Sequence, residues 1–445
     1  MADPVDFSTP DPTVRELLAT HSNLSLDVRS GLMLDGVPLQ AIADAVGTPC
    51  WVMSAETLRR RAAILLNAMK DAGLSISAHF AVKANDHLAV LEILARAGMG
   101  ADVVSGGELL RARKAGIPAS KIVFSGVGKT DAELRLAIEE GVSQINVESA
   151  EELEVLSGVA ASLGSEIAVA LRVNPDVDAR THAKITTGVA GNKFGIPYEE
   201  ALDLYREAHA LPGVKAVGYA VHIGSQILTM EPYRDAYRRV AELVRDTRAA
   251  GLPVSVVDCG GGIGINYRDE GAASPNAWAG AIRSELGDLD VRLAIEPGRW
   301  IAAPAGVLLA SVVLRKAVRG GYPFIILDAA MNDLLRPALY EAWHGILPLS
   351  AHDAMLAPET ASIVGPVCES GDTFAKTREL PPLQRGARVA LLDTGAYGAV
   401  MSSTYNARPF AAQVLVDGGT WTVIRERQSI EYLWAHDIVP ASVST

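Results

Sequence analysis

Between about Ser75 and Glu296 the chain repeats one pattern, a short run of apolar and β-branched residues followed by a longer stretch with apolar residues at helical spacing. Such alternation builds parallel strands joined by helical crossovers, because parallel neighbours need a long connection. Eight strand-like runs occur: Ser77 to Val82, Ala101 to Ser105, Lys121 to Ser125, Gln144 to Glu148, Ile167 to Asn174, Val217 to His222, Val254 to Asp258 and Arg292 to Glu296. Eight strands close a parallel barrel, and about 250 residues suffice for one. An open doubly wound sheet alternates in the same way, so the count leaves both architectures standing. The intervening segments read as helices. Ser149-Ala-Glu-Glu152 has the S-x-x-E form of a capping box, with Leu153, Leu156 and Val159 following at helical spacing.

After Glu296 the pattern changes to strand-like pieces, Val307 to Leu314, Phe324 to Asp328, Arg388 to Asp393 and Gln413 to Val416, separated by Gly/Pro-rich turns. This reads as a mainly β second domain, and Leu34 to Ser54, with strand-like Cys50 to Met53, is expected to pack with it. The expected division is residues 1–33 as an N-terminal extension, 34–54 as the packing segment, 55–298 as the barrel and 299–445 as the β domain.

Of the 445 residues, 49% are hydrophobic and 21% charged, which fits a globular protein and excludes disorder. A net charge of −12 without a Lys/Arg-dense run argues against a nucleic-acid partner. Cys50, Cys259 and Cys368 are far apart and in no CxxC spacing, so neither a disulfide framework nor a metal site is expected. Met1 to Asp35 lacks the basic and apolar regions of a signal peptide. The longest apolar stretch, Trp300 to Leu314, is shorter than the roughly 20 residues a bilayer crossing needs. A cytoplasmic enzyme without membrane attachment is the expectation.

In a barrel, catalytic groups sit where strands end. The runs end in Lys83, Ser125, Asn174, His222, Gly260 to Gly262 and Glu296. An amine after apolar Phe80-Ala-Val82 is placed to form a Schiff base. Asp258-Cys-Gly-Gly-Gly-Ile-Gly264 leaves backbone N–H groups open to a phosphate, yet fails G-x-G-x-x-G because Ile265 or Tyr267 stands where the third glycine belongs. Taken singly, each has an ordinary structural explanation: a snorkelling lysine, a tight turn, a core histidine, an ion pair of Glu296 with Arg299. Together, the amine, phosphate loop, flat ring and carboxylate are what pyridoxal 5′-phosphate requires of its protein.

The motifs Phe80-Ala-Val-Lys-Ala-Asn85, His222-Ile-Gly-Ser-Gln226, Gly260-Gly-Gly262, Glu296-Pro-Gly-Arg299, Asn332-Asp-Leu-Leu-Arg-Pro-Ala-Leu-Tyr340, Pro366-Val-Cys-Glu-Ser-Gly-Asp372 and Asp393-Thr-Gly-Ala-Tyr397 occur in order. In them the chain, from about Leu34 to Gly419, resembles the diaminopimelate decarboxylases. The resemblance implies a TIM-type (β/α)8 barrel with a C-terminal mainly-β domain, and decides the barrel against the open sheet. It implies Lys83 as the Schiff-base lysine, and Gly261, Gly262 and Ser225 as the phosphate cradle. His222 would stack on the cofactor, Glu296 meet its pyridine nitrogen, and Gly298, Arg299 and Tyr397 complete its site. Arg299, Arg336, Tyr340 and Tyr397 are implied for the substrate, with Glu369 at its distal ammonium and Cys368 as proton donor. Cys368 and Glu369 would come from the other subunit of a homodimer.

The implied reaction converts meso-2,6-diaminopimelate to L-lysine and CO2, the last step of lysine biosynthesis. Two arginines suit a distal carboxylate and an acid suits a distal ammonium. Decarboxylases of the same fold acting on ornithine, arginine or carboxynorspermidine, and a non-catalytic regulatory homologue, are the alternatives. The chain has Gly191-Asn-Lys-Phe-Gly195 where the family usually has Ser before Lys-Phe-Gly. For Cys368 alone, a small buried hydrophobe is the other reading.

Overall fold

The computed structural model describes residues 10–178 and 193–440. The chain divides into two compact units. The first, Leu58–Asn266 with Glu270–Ala302, is a closed barrel of eight parallel strands: β1 Ile76–Ala81, β2 Gly100–Val103, β3 Ile122–Phe124, β4 Gln144–Val147, β5 Ile167–Asn174, β6 Val214–Val221, β7 Val256–Asp258 and β8 Arg292–Ile295. Each strand pairs in parallel with the next. β8 returns to β1 with Leu293 beside Ile76, and β4 meets β5 with Ile145 beside Val169, so no edge is left open.

The helices bury one stripe each against the strands. In Glu231–Ala249 the buried residues Tyr233, Ala236, Tyr237, Val240 and Val244 recur at three- and four-residue intervals. Their hydroxyls reach the loop after β7: Tyr233 donates to the Gly261 carbonyl at 3.0 Å and Tyr237 to that of Cys259 at 3.1 Å, while the Trp278 indole N–H donates to Tyr237 at 2.9 Å. The loop's carbonyls are thus held from the helix side.

The expected capping box at Ser149 forms only by half. Ser149 accepts from the Glu152 amide at 3.2 Å, but the Glu152 carboxylate turns to Lys129, 2.6 Å away. Lys129 takes one oxygen of Glu152 and the Glu148 amide donates to the other at 3.4 Å, so the carboxylate is turned away from the Ser149 amide. Lys129 also donates to the carbonyls of Gly126 at 2.7 Å and Asn146 at 2.8 Å, tying the ends of β3 and β4 together. Deleting one partner of such a buried pair typically costs about 3–5 kcal/mol.

The second unit takes the described residues up to Thr57, Tyr267–Asp269 and the chain from Ala303 onward. Its sheet is built on β9, Gly306–Lys316, antiparallel to Cys50–Ser54, to β10, Phe324–Leu327, and to Arg388–Leu391; Ala412–Asp417 runs parallel to Cys50–Ser54. Period-two alternation divides β9 between two cores: Leu309 packs with Leu34, Ile42 and Val52, whereas Leu308 and Ala310 pack with Trp51, Ile325 and Leu391. The N-terminal stretch contributes a helix, Val14–Thr20, and the antiparallel strands Leu24–Asp27 and Gly31–Leu34. His21 joins them to the sheet, its Nε2 lying 2.8 Å from Asp393.

Candidate active site

At the C-terminal ends of the barrel strands a cavity of about 330 Å³ is lined by Lys83, Ser125, Asn146, Arg172, His222 and Glu296, among others. Lys83 sits in a short 3-10 turn, Val82–Ala84, directly after β1, and its Nζ lies 2.9 Å from Asp102 of β2. Asp102 is fully buried and its other carboxylate oxygen has no hydrogen-bond partner.

Glu296 follows β8. It accepts from the Ser125 hydroxyl at 3.2 Å and from the Asn146 amide at 3.3 Å; the same amide reaches Asp258 at 3.5 Å. Burial first, and then the neighbouring charges of Asp102 and Asp258, push the Glu296 carboxyl well above its ordinary range, with Lys83 opposing. Burial also raises Asp258, whose carboxylate accepts from the Gly260 N–H at 3.0 Å. Glu296 and Asp258 thus both hold protons more tightly than exposed carboxyls do.

His222 accepts from the Gly261 N–H through Nδ1 at 3.1 Å, which leaves the proton on Nε2. Burial, followed by the charges of Arg172 and Lys83, holds it well below the usual histidine range, so the ring is neutral. Ser225 accepts from Arg299 at 3.0 Å. The glycines after β7 are structural requirements. A Cβ on Gly261 would lie 2.1 Å from the Glu296 carbonyl, and one on Gly262, at φ +96°, would lie 2.2 Å from the Gly224 carbonyl.

Arg336, Tyr340, Cys368, Glu369 and Tyr397 belong to the second unit. Arg336 and Tyr340 begin and end one short helix. Cys368 is exposed, which removes the buried-hydrophobe reading; Cys50 and Cys259 are the buried thiols. The Cys368 amide donates to Asn406 at 2.8 Å, and Asp372 accepts from the amides of Val367 and Met331, each at 2.7 Å, so the Cys-Glu turn is pinned at both ends. Tyr397 takes a left-handed backbone, φ +55°. Of the Gly191 to Gly195 departure, Gly191 and Asn192 lie outside the described residues; Phe194 lines the cavity and the Gly195 amide donates to Glu148 at 3.1 Å.

Sequence reading missed Asp102, Asn146, Arg172 and Asp258. All four are buried polar residues within strand runs, and that contrast is the signal that marks them.

Pyridoxal phosphate fits these residues: a lysine beside a buried acid with an orphaned oxygen, glycines that no Cβ could replace, and a carboxylate raised by its neighbours. Residues 56–303 match the model of the pyridoxal-dependent decarboxylase, pyridoxal binding domain. The chain is 46% identical to the diaminopimelate decarboxylase of Zymomonas mobilis subsp. mobilis over 405 residues, covering 90% of this chain and 95% of that one. The crystal structure of diaminopimelate decarboxylase from Helicobacter pylori complexed with L-lysine superposes with a TM-score of 0.85 at 38% identity, over 89% of this chain and 98% of that one. The M. jannaschii enzyme in co-complex with L-lysine gives 0.89 at 35%, over 95% and 99%. The chain belongs to the diaminopimelate decarboxylases, a family of pyridoxal-phosphate-dependent enzymes.

Proposed function

We propose that the chain removes CO2 from meso-2,6-diaminopimelate to leave L-lysine, with the cofactor at the barrel's strand ends. The observation that carries this reading is the convergence of Lys83, neutral His222 and Glu296 on one cavity, in a chain of this family. When bound, pyridoxal phosphate supplies a ring that accepts the electron pair released with CO2.

The chain's residues then have separable tasks. Lys83 would hold the aldehyde, and Asp102 keeps its amine in place beforehand. The amides of Gly261 and Gly262, with Ser225, would take the phosphate, and Gly298, Arg299 and Tyr397 are assigned beside it. His222 offers a flat uncharged face. Glu296 would face the ring nitrogen, where its carboxylate charge would favour a proton on the ring. At the substrate's far end Arg299, Arg336, Tyr340 and Tyr397 are assigned to the carboxylate and Glu369 to the ammonium. Cys368 would return a proton to the α-carbon; its exposure makes the thiol accessible. Three free cysteines suit a reducing cytoplasm.

The test of substrate is to offer meso-diaminopimelate, ornithine, arginine and lysine separately to the holoenzyme and to measure CO2. Release from diaminopimelate alone is expected; preference for ornithine would overturn the assignment.

We also propose a homodimer in which Cys368 and Glu369 serve the partner's site, a reading supported by their exposure and by the family resemblance. Mixed Lys83→Ala and Cys368→Ala subunits, each inactive alone, should regain part of the activity. Independent subunits would show no such complementation.

A further inference from the structure

We infer that His344 positions Arg336, and that the N-terminal segment, through Asp11, braces His344 from behind. The inference rests on the proposed role of Arg336 at the distal carboxylate.

Arg336 is 5% exposed, and its Nη1 lies 2.8 Å from Nε2 of His344, itself 1% exposed. Nδ1 of His344 lies 2.7 Å from the Leu392 carbonyl. A carbonyl only accepts, so Nδ1 carries the ring proton; a guanidinium only donates, so Nε2 is bare. His344 is therefore a neutral acceptor for Arg336. An acid in its place would orient the guanidinium and also take up its charge, whereas a neutral imidazole orients it and itself takes up none. The ring of Tyr267 lies 4.7 Å from the Arg336 guanidinium carbon and stands edge-on to His344, fixing a second direction without adding charge.

The support continues to the N-terminal segment. The His344 carbonyl accepts from Arg378, whose guanidinium covers the Trp343 ring at 4.4 Å. Asp11 faces Arg378 at 3.8 Å and Arg268 at 3.5 Å, and accepts from the Trp343 indole N–H and the Glu379 amide, each at 3.3 Å. Burial lowers Arg378 to about 10, with Asp11 opposing the loss. Asp11 thus answers two guanidiniums, one of which holds the His344 carbonyl, and also takes the indole N–H of the preceding Trp343, so the N-terminal stretch gains a function as a brace for a substrate-binding arginine.

The test compares two inhibitors of the holoenzyme. L-Lysine keeps the distal carboxylate, and cadaverine lacks it. His344→Phe should raise the inhibition constant of lysine and the KM for diaminopimelate by about tenfold or more, the loss expected for a hydrogen bond to a charged group. Cadaverine inhibition and bound cofactor should not change. His344→Gln, whose amide oxygen can accept, should recover most of the loss, and Asp11→Asn should shift lysine in the same direction by less. Should His344→Phe fail to fold, Asp11→Asn and His344→Gln still carry the comparison. Equal weakening of lysine and cadaverine, or unchanged lysine inhibition in His344→Phe, overturns the role of His344; unchanged lysine inhibition in Asp11→Asn overturns the brace. Arg336→Ala separates the premise: if it leaves lysine inhibition unchanged, the reading of Arg336 itself has failed.

Discussion

Lys83→Ala is expected to abolish decarboxylation, because the amine that would hold the cofactor's aldehyde is gone, and to fix no cofactor on borohydride reduction. The lysine is the amine that the turn after β1 places in the cavity, 2.9 Å from a fully buried acid. Its removal also leaves Asp102 facing Asp258 and Glu296 without the ammonium. The variant should therefore melt below the wild type at neutral pH, with the gap narrowing as the acids take up protons, and Asp102→Asn in the same chain should restore part of the difference. Lys83 is about a third exposed, so solvent moderates this stability effect, while the catalytic loss is unmoderated. A Lys83→Ala chain that still gave a phosphopyridoxyl-lysine adduct at another position would sink the assignment.

That Lys83 could be picked out from sequence follows from its position. A polar residue immediately after an apolar run stands out, and so do His222 and Glu296, each one residue past its strand. Asp102, Asn146, Arg172 and Asp258 lie inside strands, where a run counted as apolar absorbs them. Their function depends on which face of the strand closes on the barrel interior, and only the closed sheet fixes that. The β domain was harder to read for a related reason. Glu359–Val364 and Thr373–Leu380 pair with each other toward one end of the sheet, and their Glu, Lys and Arg residues blur the alternation a strand would otherwise show. The Ser149 box failed in one half because the competitor, Lys129, is remote in sequence and adjacent only after folding. The N-terminal stretch gave no functional signal at all, since Asp11 acquires meaning only beside Arg268 and Arg378.

Glu296→Gln should move activity and stability in opposite directions. The substitution keeps the shape of a side chain that accepts from Ser125 and Asn146 but removes the group that would hold a proton at the ring nitrogen, so kcat should fall on the order of 10²-fold or more, comparable to losing a preorganised charge-stabilising group. The folded chain, by contrast, gains. Burial and the charges of Asp102 and Asp258 raise the Glu296 carboxyl above its ordinary value of 4.5, so the native state binds this proton more tightly than the unfolded state does. A group raised in this way costs stability as pH climbs from 4.5 toward its folded value, and an amide has no such cost. The apoenzyme of Glu296→Gln should thus melt above wild type at neutral pH, with the advantage shrinking as pH falls and closing below about 4.5, where the acid is protonated in both states. Melting curves from pH 4 to 8 read this directly. If the variant is less stable than wild type at neutral pH, the electrostatic account of the cavity is wrong; if it keeps full kcat, the carboxylate has no part at the ring nitrogen.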